Sequence, residues 1–518
     1  MSACVIAYDV GTTGLKTCLF ELSDTIRLIA SVREDYELYV LENGGVEQEP
    51  YDWWNTMCNS TVKLLEISGI PSEAIKGISF CSQMQSLVLV DLNGEPVRRS
   101  MSYMDQRAVR EFDTGIRNGL CVAGVNVFKL LKSLRITGAV AASVKDSVWK
   151  YKWVEKNEPA SFKAAYKWLD VKEFLICKCT GEFVMTRDSA FATLLYDTRK
   201  GKEGFSSELC KMLGVKMEHL PKITECTAMA GRITHAAAAR LQLPEGTPVF
   251  GGGGDASLIG VGAGASETGS THIYTGTSGW VSTVVSKQMV DTSSMIAAIV
   301  GASSTFNYFA ELETAGKCLE WVKDHLALDE IDIYLHKKKV SDMDEAVYTD
   351  LYDYMMHVVS EVPAGSKGVI FTPWLHGNRC PFEDPNARGM FFNISLETGK
   401  TELIHSVIEG ICYHLRWQLE AQEKKVRTSR VIRFVGGGAL APLTCQILAD
   451  VTGREIETVD NPQNIGAVGA AVVAAVGLGL LDDIAAAGNL IKPNCRYMPN
   501  MENKAVYDRY FRVFKALY

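Results

Sequence analysis

In the stretch VIAYDVGTTGLKTCLF (residues 5–20), two apolar, β-prone runs flank the hexapeptide Asp9-Val10-Gly11-Thr12-Thr13-Gly14. The pattern predicts two strands joined by a tight turn, with glycines supplying backbone freedom. The arrangement returns in THIYTGTSGWVSTVV (residues 271–285), where an apolar run enters Gly276-Thr277-Ser278-Gly279 and resumes as a strand. One such hairpin is commonplace. Two with matching interiors, one near the start of each half, predict a duplicated architecture.

Between the hairpins, strands and helices alternate. Ile78–Phe80 and Leu87–Val90 read as strands, Asp91–Gly94 as a turn, and Trp149–Glu155 and Val171–Cys177 as helices. Pro248-Val249-Phe250 reads as a strand entering the glycine-rich turn Gly251–Gly254, with Asp255 at its end. In the second half, Ile404, Ile408, Ile411, Leu415 and Leu419 recur at helical spacing and predict a helix over about 400–423. A β-α-β unit follows: strand Val431–Val435, turn Gly436-Gly437-Gly438, helix from Pro442 to the stop at Gly453, strand Glu455–Val459. Proline in the first helical turn and glycine after the last are the expected boundary residues. The Ala/Gly-rich run from Ala467 to Leu481 suits a buried, close-packed helix. The pattern loosens in GVGAGASETG, placing the division between domains 1–264 and 265–518.

Length agrees with two domains, since 518 residues exceed what one core usually serves. The net charge of −8 offers little to nucleic acid, and no Lys/Arg stripe suggests an anionic membrane surface. Met1–Val5 lacks the charged and apolar regions of a secretory leader, and no run is long enough to span a bilayer. The 14 cysteines are scattered, with only Cys177 and Cys179 close together, a poor zinc pattern that suits a reducing compartment. The expectation is a soluble cytoplasmic protein.

The glycine turns carry the candidate chemistry. Closely spaced backbone N–H groups with threonine hydroxyls form an anion-binding concavity. Facing each other across a cleft, Gly11–Gly14 and Gly276–Gly279 could grip one polyphosphate from both sides; either alone could be an ordinary hairpin loop. Neither a Walker motif nor a dinucleotide-binding glycine fingerprint is in register. Asp9 could hold Mg²⁺ directly or through water, or simply cap the turn. Asp255 is the candidate acceptor of a hydroxyl proton in phosphoryl transfer from a nucleotide, against the plainer role of turn former. Gly436–Gly438, at the carboxyl end of a strand, could admit a base or ribose, or serve tight packing alone.

The chain resembles the FGGY carbohydrate kinases, most closely their xylulokinase-like branch. The resemblance rests on AYDVGTTGLKTCLF, EQEPYDWW, SQMQSLVLVDLNG, SYMDQR, VFGGGGDAS, YTGTSGW, the segment from TPWLHGNRCPF to GICYHLR, and FVGGGALAPLTCQILADVTGREI, in that order. It implies an α/β fold of two actin-like (ribonuclease-H-like) ATPase domains with an interdomain cleft. It also implies phosphorylation of a sugar or polyol hydroxyl from ATP with Mg²⁺. By position, Asp255 resembles the catalytic base and, with Asp9, the metal-associated acids. Gly11, Thr12, Thr13 and Lys16 resemble the first phosphate loop, Gly276, Thr277 and Ser278 the second, and Gly437, Gly438 and Ala439 the adenosine pocket. The sugar site would draw on Gln83, Met84, Gln85, Tyr103, Asp105 and Asp255. A homodimer is common in that family.

Departures fall on the sugar side. Xylulokinases usually read Gln-Met-His-Gly where this chain has Gln83-Met84-Gln85-Ser86, Asp-Asn at Asp255-Ala256, and Trp-Asn-Asp at Tyr103-Met104-Asp105. Asn393 replaces a usual Gly and Asn378 a usual acid. Missing polar partners should alter which sugar is accepted and leave phosphate chemistry intact. D-Xylulose, another ketose, or a polyol such as a tetritol or a signalling polyol all fit. A catalytically silent ATP/sugar sensor is the competing class.

Overall fold

The computed structural model describes residues 3–122, 124–326 and 356–518. Its first sheet contains β1 (Ala3–Val10), β2 (Gly14–Leu22), β3 (Ile26–Asp35), β4 (Ile75–Ser82), β5 (Met229–Arg232) and β6 (Pro248–Phe250), in the order β5-β6-β4-β1-β2-β3. A short strand, β7 (Gly253–Gly254), pairs beside β6 on β4. Helix α1 (Pro50–Ser68) starts with proline in its first turn and stops at Gly69, whose φ of 64° is the left-handed conformation that glycine adopts freely. The long excursion between β4 and β5 includes α2 (Ser147–Asn157) and α3 (Val171–Thr180). Helix α4 (Asp255–Gly262) follows β7 directly.

The second sheet contains β8 (Thr271–Thr275), β9 (Gly279–Val285), β10 (Val290–Asp291), β11 (Ile296–Val300), β12 (Phe306–Leu312), β13 (Val431–Val435), β14 (Glu455–Val459) and β15 (Pro493–Tyr497). Their order is β10-β11-β12-β9-β8-β13-β14-β15. The two sheets repeat one pairing scheme. β1 is antiparallel to β2 and parallel to β4; β8 is antiparallel to β9 and parallel to β13. Beyond β4 and β13 come a further parallel strand, β6 or β14, and then an antiparallel one, β5 or β15. The repeated hairpin of the sequence is thus the first hairpin of each of two equivalent sheets.

Strand alternation explains what β1 presents. Val5 and Ala7 face a cluster that includes Leu258 and Ile259 of α4, whereas Ile6, Tyr8 and Val10 face Trp53, Met57 and Leu64 of α1. A strand buried on both faces needs apolar residues at both parities, which is why its sequence shows no clean alternation. Asp9 follows Val5 and Ala7, so its carboxylate emerges on the α4 side at the strand's carboxyl end. The register Asp9↔Lys16 places Lys16 opposite it, on the face of Cys18 and Phe20.

Helix α5 (Lys400–Glu423) has the span that its periodicity predicts, but it is buried on nearly every side rather than along one stripe. Several of its buried polar residues are paired. Glu409 accepts from Gly365 N (2.7 Å) and Ser366 Oγ (2.7 Å), and Gln422 donates to the carbonyls of Val281 (2.7 Å) and Tyr308 (2.8 Å). His414 donates from Nε2 to Cys380 O (2.7 Å) and accepts from Trp374 Nε1 (3.2 Å); burial pushes it down to about 4 and keeps it neutral. In the β-α-β unit, Gly437–Leu440 forms a short 3-10 turn before α6 (Pro442–Thr452), and Gly453 caps that helix in the left-handed conformation.

Helix α7 (Ile465–Gly477) lies late in the chain yet packs on β1, β4 and α4 of the first half. Its small residues are spaced for that crossing. A Cβ on Gly469 would lie 2.3 Å from Leu258 O, and one on Gly262 only 2.1 Å from Ile465 O. Two backbones approach where side chains are missing, and the halves join along this seam. Among the described residues, no helix is long and apolar enough to cross a membrane.

Candidate active site

A cavity of about 510 Å³ opens between the two sheets. Asp9, Gly11, Thr12, Thr13 and Lys16 line one wall, with Gln83, Met84, Gln85 and Tyr103 beside them. Thr277 and Ser278 line the wall from the second half, and Asp255 lies between. These twelve of the sequence-predicted residues are brought together. Five are not: Asp105, Gly276, Gly437, Gly438 and Ala439 do not border this cavity.

Both turns are closed by the amide of their first glycine, the second one residue tighter than the first. Gly11 N donates to Gly14 O (2.9 Å) and Gly276 N to Ser278 O (2.9 Å). The amides of Thr12, Thr13 and Thr277 take no part in those bonds. Tyr36 braces the first turn by donating to the carbonyls of Gly11 and Gly14, and Gln48 Nε2 donates to Thr12 O (2.8 Å). The second turn rests on the start of helix 316–325: Gly316 N donates to Gly276 O (2.8 Å) and Ala315 N to Thr277 O (3.1 Å). Lys16 donates to Gln463 O (2.6 Å), just ahead of α7, and stands 4.0 Å from Asp9. Hydrogen-bond donors on both walls match what a polyphosphate requires.

Asp255 is the first residue of α4. Its Oδ1 accepts from Ala256 N (2.7 Å), which fixes the side chain at the helix start. The preceding glycines are held by Asp188, whose Oδ2 accepts from Gly254 N (2.7 Å) and whose Oδ1 accepts from Thr186 Oγ1 (2.5 Å). Burial pushes Asp255 up to about 7 against the opposing hydrogen bond from Ala256, with the charges of Asp9, Glu311 and Asp188 adding to the rise. Burial also raises Asp9, with Lys16 and a hydrogen bond from Cys81 acting in the opposite direction. Among the described residues, no group of three or more His, Cys, Asp or Glu is arranged to hold a metal. Mg²⁺ is typically held by one or two carboxylates together with phosphate oxygens and water. Asp9 and Asp255 have the right chemistry for it.

Sequence reasoning missed several residues of the cavity. Tyr274 and Trp280 stack with ring centroids 4.1 Å apart, and His272 Nε2 accepts from Trp280 Nε1 (3.1 Å), fixing the indole. Trp280 is cross-strand partner to Glu311, which reaches the cavity beside Phe309 and accepts from Arg379 Nη1 (2.8 Å). The alternation of β12 was the available signal, because Phe309 and Glu311 share one face. Asp188 had none, since its partner Gly254 lies far along the chain.

Asp105 is fully buried behind the cavity. Its Oδ2 accepts from Val46 N (2.9 Å) and Arg107 Nη2 (2.8 Å), so it shapes the wall rather than facing a ligand. Its motif neighbour Tyr103 does face the cavity, with its hydroxyl 3.2 Å from Thr12 Oγ1, linking the predicted sugar side to the first glycine turn. Gly436 and Gly438 abut the end of β8: a Cβ on Gly438 would lie 2.0 Å from Thr275 Oγ1 and one on Gly436 2.4 Å from Thr275 O. Gly437 faces open space, and a methyl there would have no neighbour within 4 Å. The glycine triplet therefore lies against the end of β8, beside the second glycine turn, with one face free.

Comparisons with known proteins agree with this geometry. The N-terminal domain profile of the FGGY family of carbohydrate kinases matches residues 4–262 and the C-terminal domain profile matches 272–478. The chain is 25% identical over 522 residues to the xylulose kinase of Bacillus subtilis (strain 168), covering 99% of this chain and 96% of the relative. It is 24% identical to the gluconokinase of the same organism, covering 99% and 95%. Among solved structures, ligand-bound xylulose kinase from Lactobacillus acidophilus superposes with a TM-score of 0.85 at 25% identity, covering 99% of this chain and 97% of that one. Two matched domains, two equivalent actin-like (ribonuclease-H-like) sheets and a cleft lined by paired phosphate-type turns make the chain a member of the FGGY family, a carbohydrate kinase that uses ATP with Mg²⁺.

Proposed function

We propose that the chain transfers the γ-phosphoryl group of ATP to a hydroxyl of a neutral ketopentose, D-xylulose foremost, with Asp255 accepting the hydroxyl proton. One observation carries this reading: the Asp255 carboxylate borders a cavity flanked by both phosphate-type turns and by Gln83, Met84, Gln85 and Tyr103. Gly11, Thr12, Thr13 and Lys16 bind phosphate from the first half, and Gly276, Thr277 and Ser278 from the second. Gly437, Gly438 and Ala439 carry the adenosine. When bound, Mg²⁺ supplies charge neutralisation at the phosphates, and Asp9 with Asp255 would hold it.

The chain's own residues do three things in this mechanism. The turns fix the phosphates, the Gln83–Gln85 segment and Tyr103 align the sugar, and Asp255 takes the proton as the oxygen meets phosphorus. Phosphoryl transfer of this type depends mainly on positioning and charge stabilisation. The seam at α4 and α7 is the natural axis for domain closure, which excludes water as a competing acceptor. The domains divide at 264/265. The free thiols of the cysteines support a cytoplasmic setting, and a homodimer is the expected assembly.

The gluconokinase relative raises a second substrate class, an aldonate. Charge in the cavity favours the neutral sugar. Asp9, Asp188, Asp255 and Glu311 contribute carboxylates, and each cation of the same lining already faces an acid: Lys16 faces Asp9, Arg33 faces Asp35 and Arg379 faces Glu311. Ala256 in place of an amide side chain also keeps another ketose or a polyol in view. ADP release measured over ketoses, polyols and gluconate tests the reading. Turnover with D-xylulose or a related neutral sugar is expected; ATP binding with no response to any sugar would leave only a sensor.

A further inference from the structure

The segment Gln83–Ser86 borders the cavity in a backbone conformation that its sequence does not favour. Gln85 has φ of 64°, in the left-handed region where a residue with a long side chain is uncommon. A buried acid and a buried base grip this residue from its two sides. On the amino side, Asp170 Oδ2 accepts from Gln85 N (2.8 Å) and its Oδ1 accepts from Ser86 N (3.0 Å). On the carbonyl side, Lys150 Nζ donates to Gln85 O (2.7 Å). Lys150 is wholly shielded from solvent, on α2, and Asp170 caps α3 by accepting from Val171 N (2.9 Å). Both helices belong to the excursion between β4 and β5. Asp105 faces Lys150 from the loop after Tyr103, and Asp146 and Lys145 face it from the residues before α2. Asp105 thus acts at one remove from the cavity.

Burying an amine and a carboxyl is costly unless each is well hydrogen-bonded, and such buried polar contacts can serve to enforce one conformation. Nothing in the phosphate chemistry requires these two groups. We infer that Lys150 and Asp170 are positioning residues for the sugar: they clamp the Gln85 peptide in its left-handed conformation and thereby aim the Gln85 side chain at the substrate. The inference rests on the kinase reading, in which Gln83–Gln85 border the sugar. It also explains how the chain keeps a glutamine next to Ser86 in this backbone conformation without a glycine.

The test uses the full-length enzyme and separates the two substrates. Lys150→Met should raise the KM for the sugar about tenfold while the KM for ATP stays within about twofold, because a hydrogen bond to a charged group is lost on the sugar side alone. Gln85→Gly supplies the control, since glycine adopts the left-handed conformation freely and has no side chain to aim. In that background Lys150→Met should change the sugar KM by less than about threefold. Asp170→Asn, nearly isosteric and still an acceptor, covers the case in which Lys150→Met does not fold; it should raise the sugar KM several-fold with the ATP KM unchanged. Equal rises for both substrates, or the same Lys150→Met effect in the wild-type and Gln85→Gly backgrounds, would overturn the clamp. A wild-type enzyme with no sugar-stimulated ADP release would instead bring down the kinase reading and the clamp with it.

Discussion

Gly466 faces the carboxylate of Asp9 with no room for a side chain: a Cβ built on the glycine would lie 2.9 Å from Asp9 Cγ and 2.9 Å from Cys81 Sγ. The amino end of α7 is thereby pressed against the acid beside the first glycine turn. Gly466→Ala must displace either the helix or Asp9. The expected outcome is a stability loss of about 1–3 kcal/mol, the usual range for overpacking, together with weaker use of MgATP. Chemical denaturation and the KM for ATP measure the two effects.

Gly437 presents the opposite case. Nothing lies within 4 Å of a methyl built there, and its φ is not in the left-handed region. Gly437→Ala should leave stability within about 0.5 kcal/mol, as surface changes generally do. If adenosine passes over this glycine, the KM for ATP rises several-fold with the sugar KM unchanged. An unaltered ATP KM would remove Gly437 from the nucleotide site.

Asp255 should impose a pH dependence. Its carboxyl is pushed up to about 7 by burial, and only the ionised form accepts a proton. The pH profile of kcat/KM for the sugar should therefore rise to a plateau, with Mg²⁺ held by Asp255 drawing the rise below about pH 7. Asp255→Asn should lower kcat by about a hundredfold or more, the scale of a general base, with ATP binding kept. The stability sign is opposite to that of a salt-bridged acid. Between the ordinary value of 3.8 and about 7 the folded state holds a proton that the unfolded state has lost, so stability falls as pH rises through that window. Asp255→Asn should thus raise the melting temperature above pH 7 and give little gain below about pH 4.

Much of this was legible in the sequence where the physics is local. The twin hairpins, the bounds of Lys400–Glu423 and the β-α-β unit follow from periodicity, turn residues and caps. Asp9 was legible because it closes a strand at a glycine turn. Asp105 was misplaced because motif neighbours in a loop need not point the same way: Tyr103 turns into the cavity and Asp105 turns to Arg107. The packing of α7 on the first sheet was hidden because an Ala/Gly helix buried all round presents no stripe to read. Glu311 and Asp188 depend on partners brought in by tertiary folding, which no local pattern records.

Glu311 provides the sharpest test of substrate charge. It reaches the cavity from β12, pairs with Arg379, and adds to the rise of the Asp255 carboxyl. A substrate carboxylate here would meet Glu311 and Asp255 together, and like charges several ångströms apart at a partly screened site repel by about 1–3 kcal/mol. The wild-type kcat/KM for gluconate should therefore fall at least about tenfold below that for the preferred neutral sugar, since each 1.4 kcal/mol is about a factor of ten. Glu311→Gln removes one repulsive charge and frees Arg379 to pair with the ligand, so it should narrow that gap by about tenfold while weakening the neutral sugar. Parallel ADP-release assays with the two compounds give the ratio directly. A wild-type preference for gluconate, or a ratio that Glu311→Gln leaves unmoved, would show that cavity charge does not select the substrate.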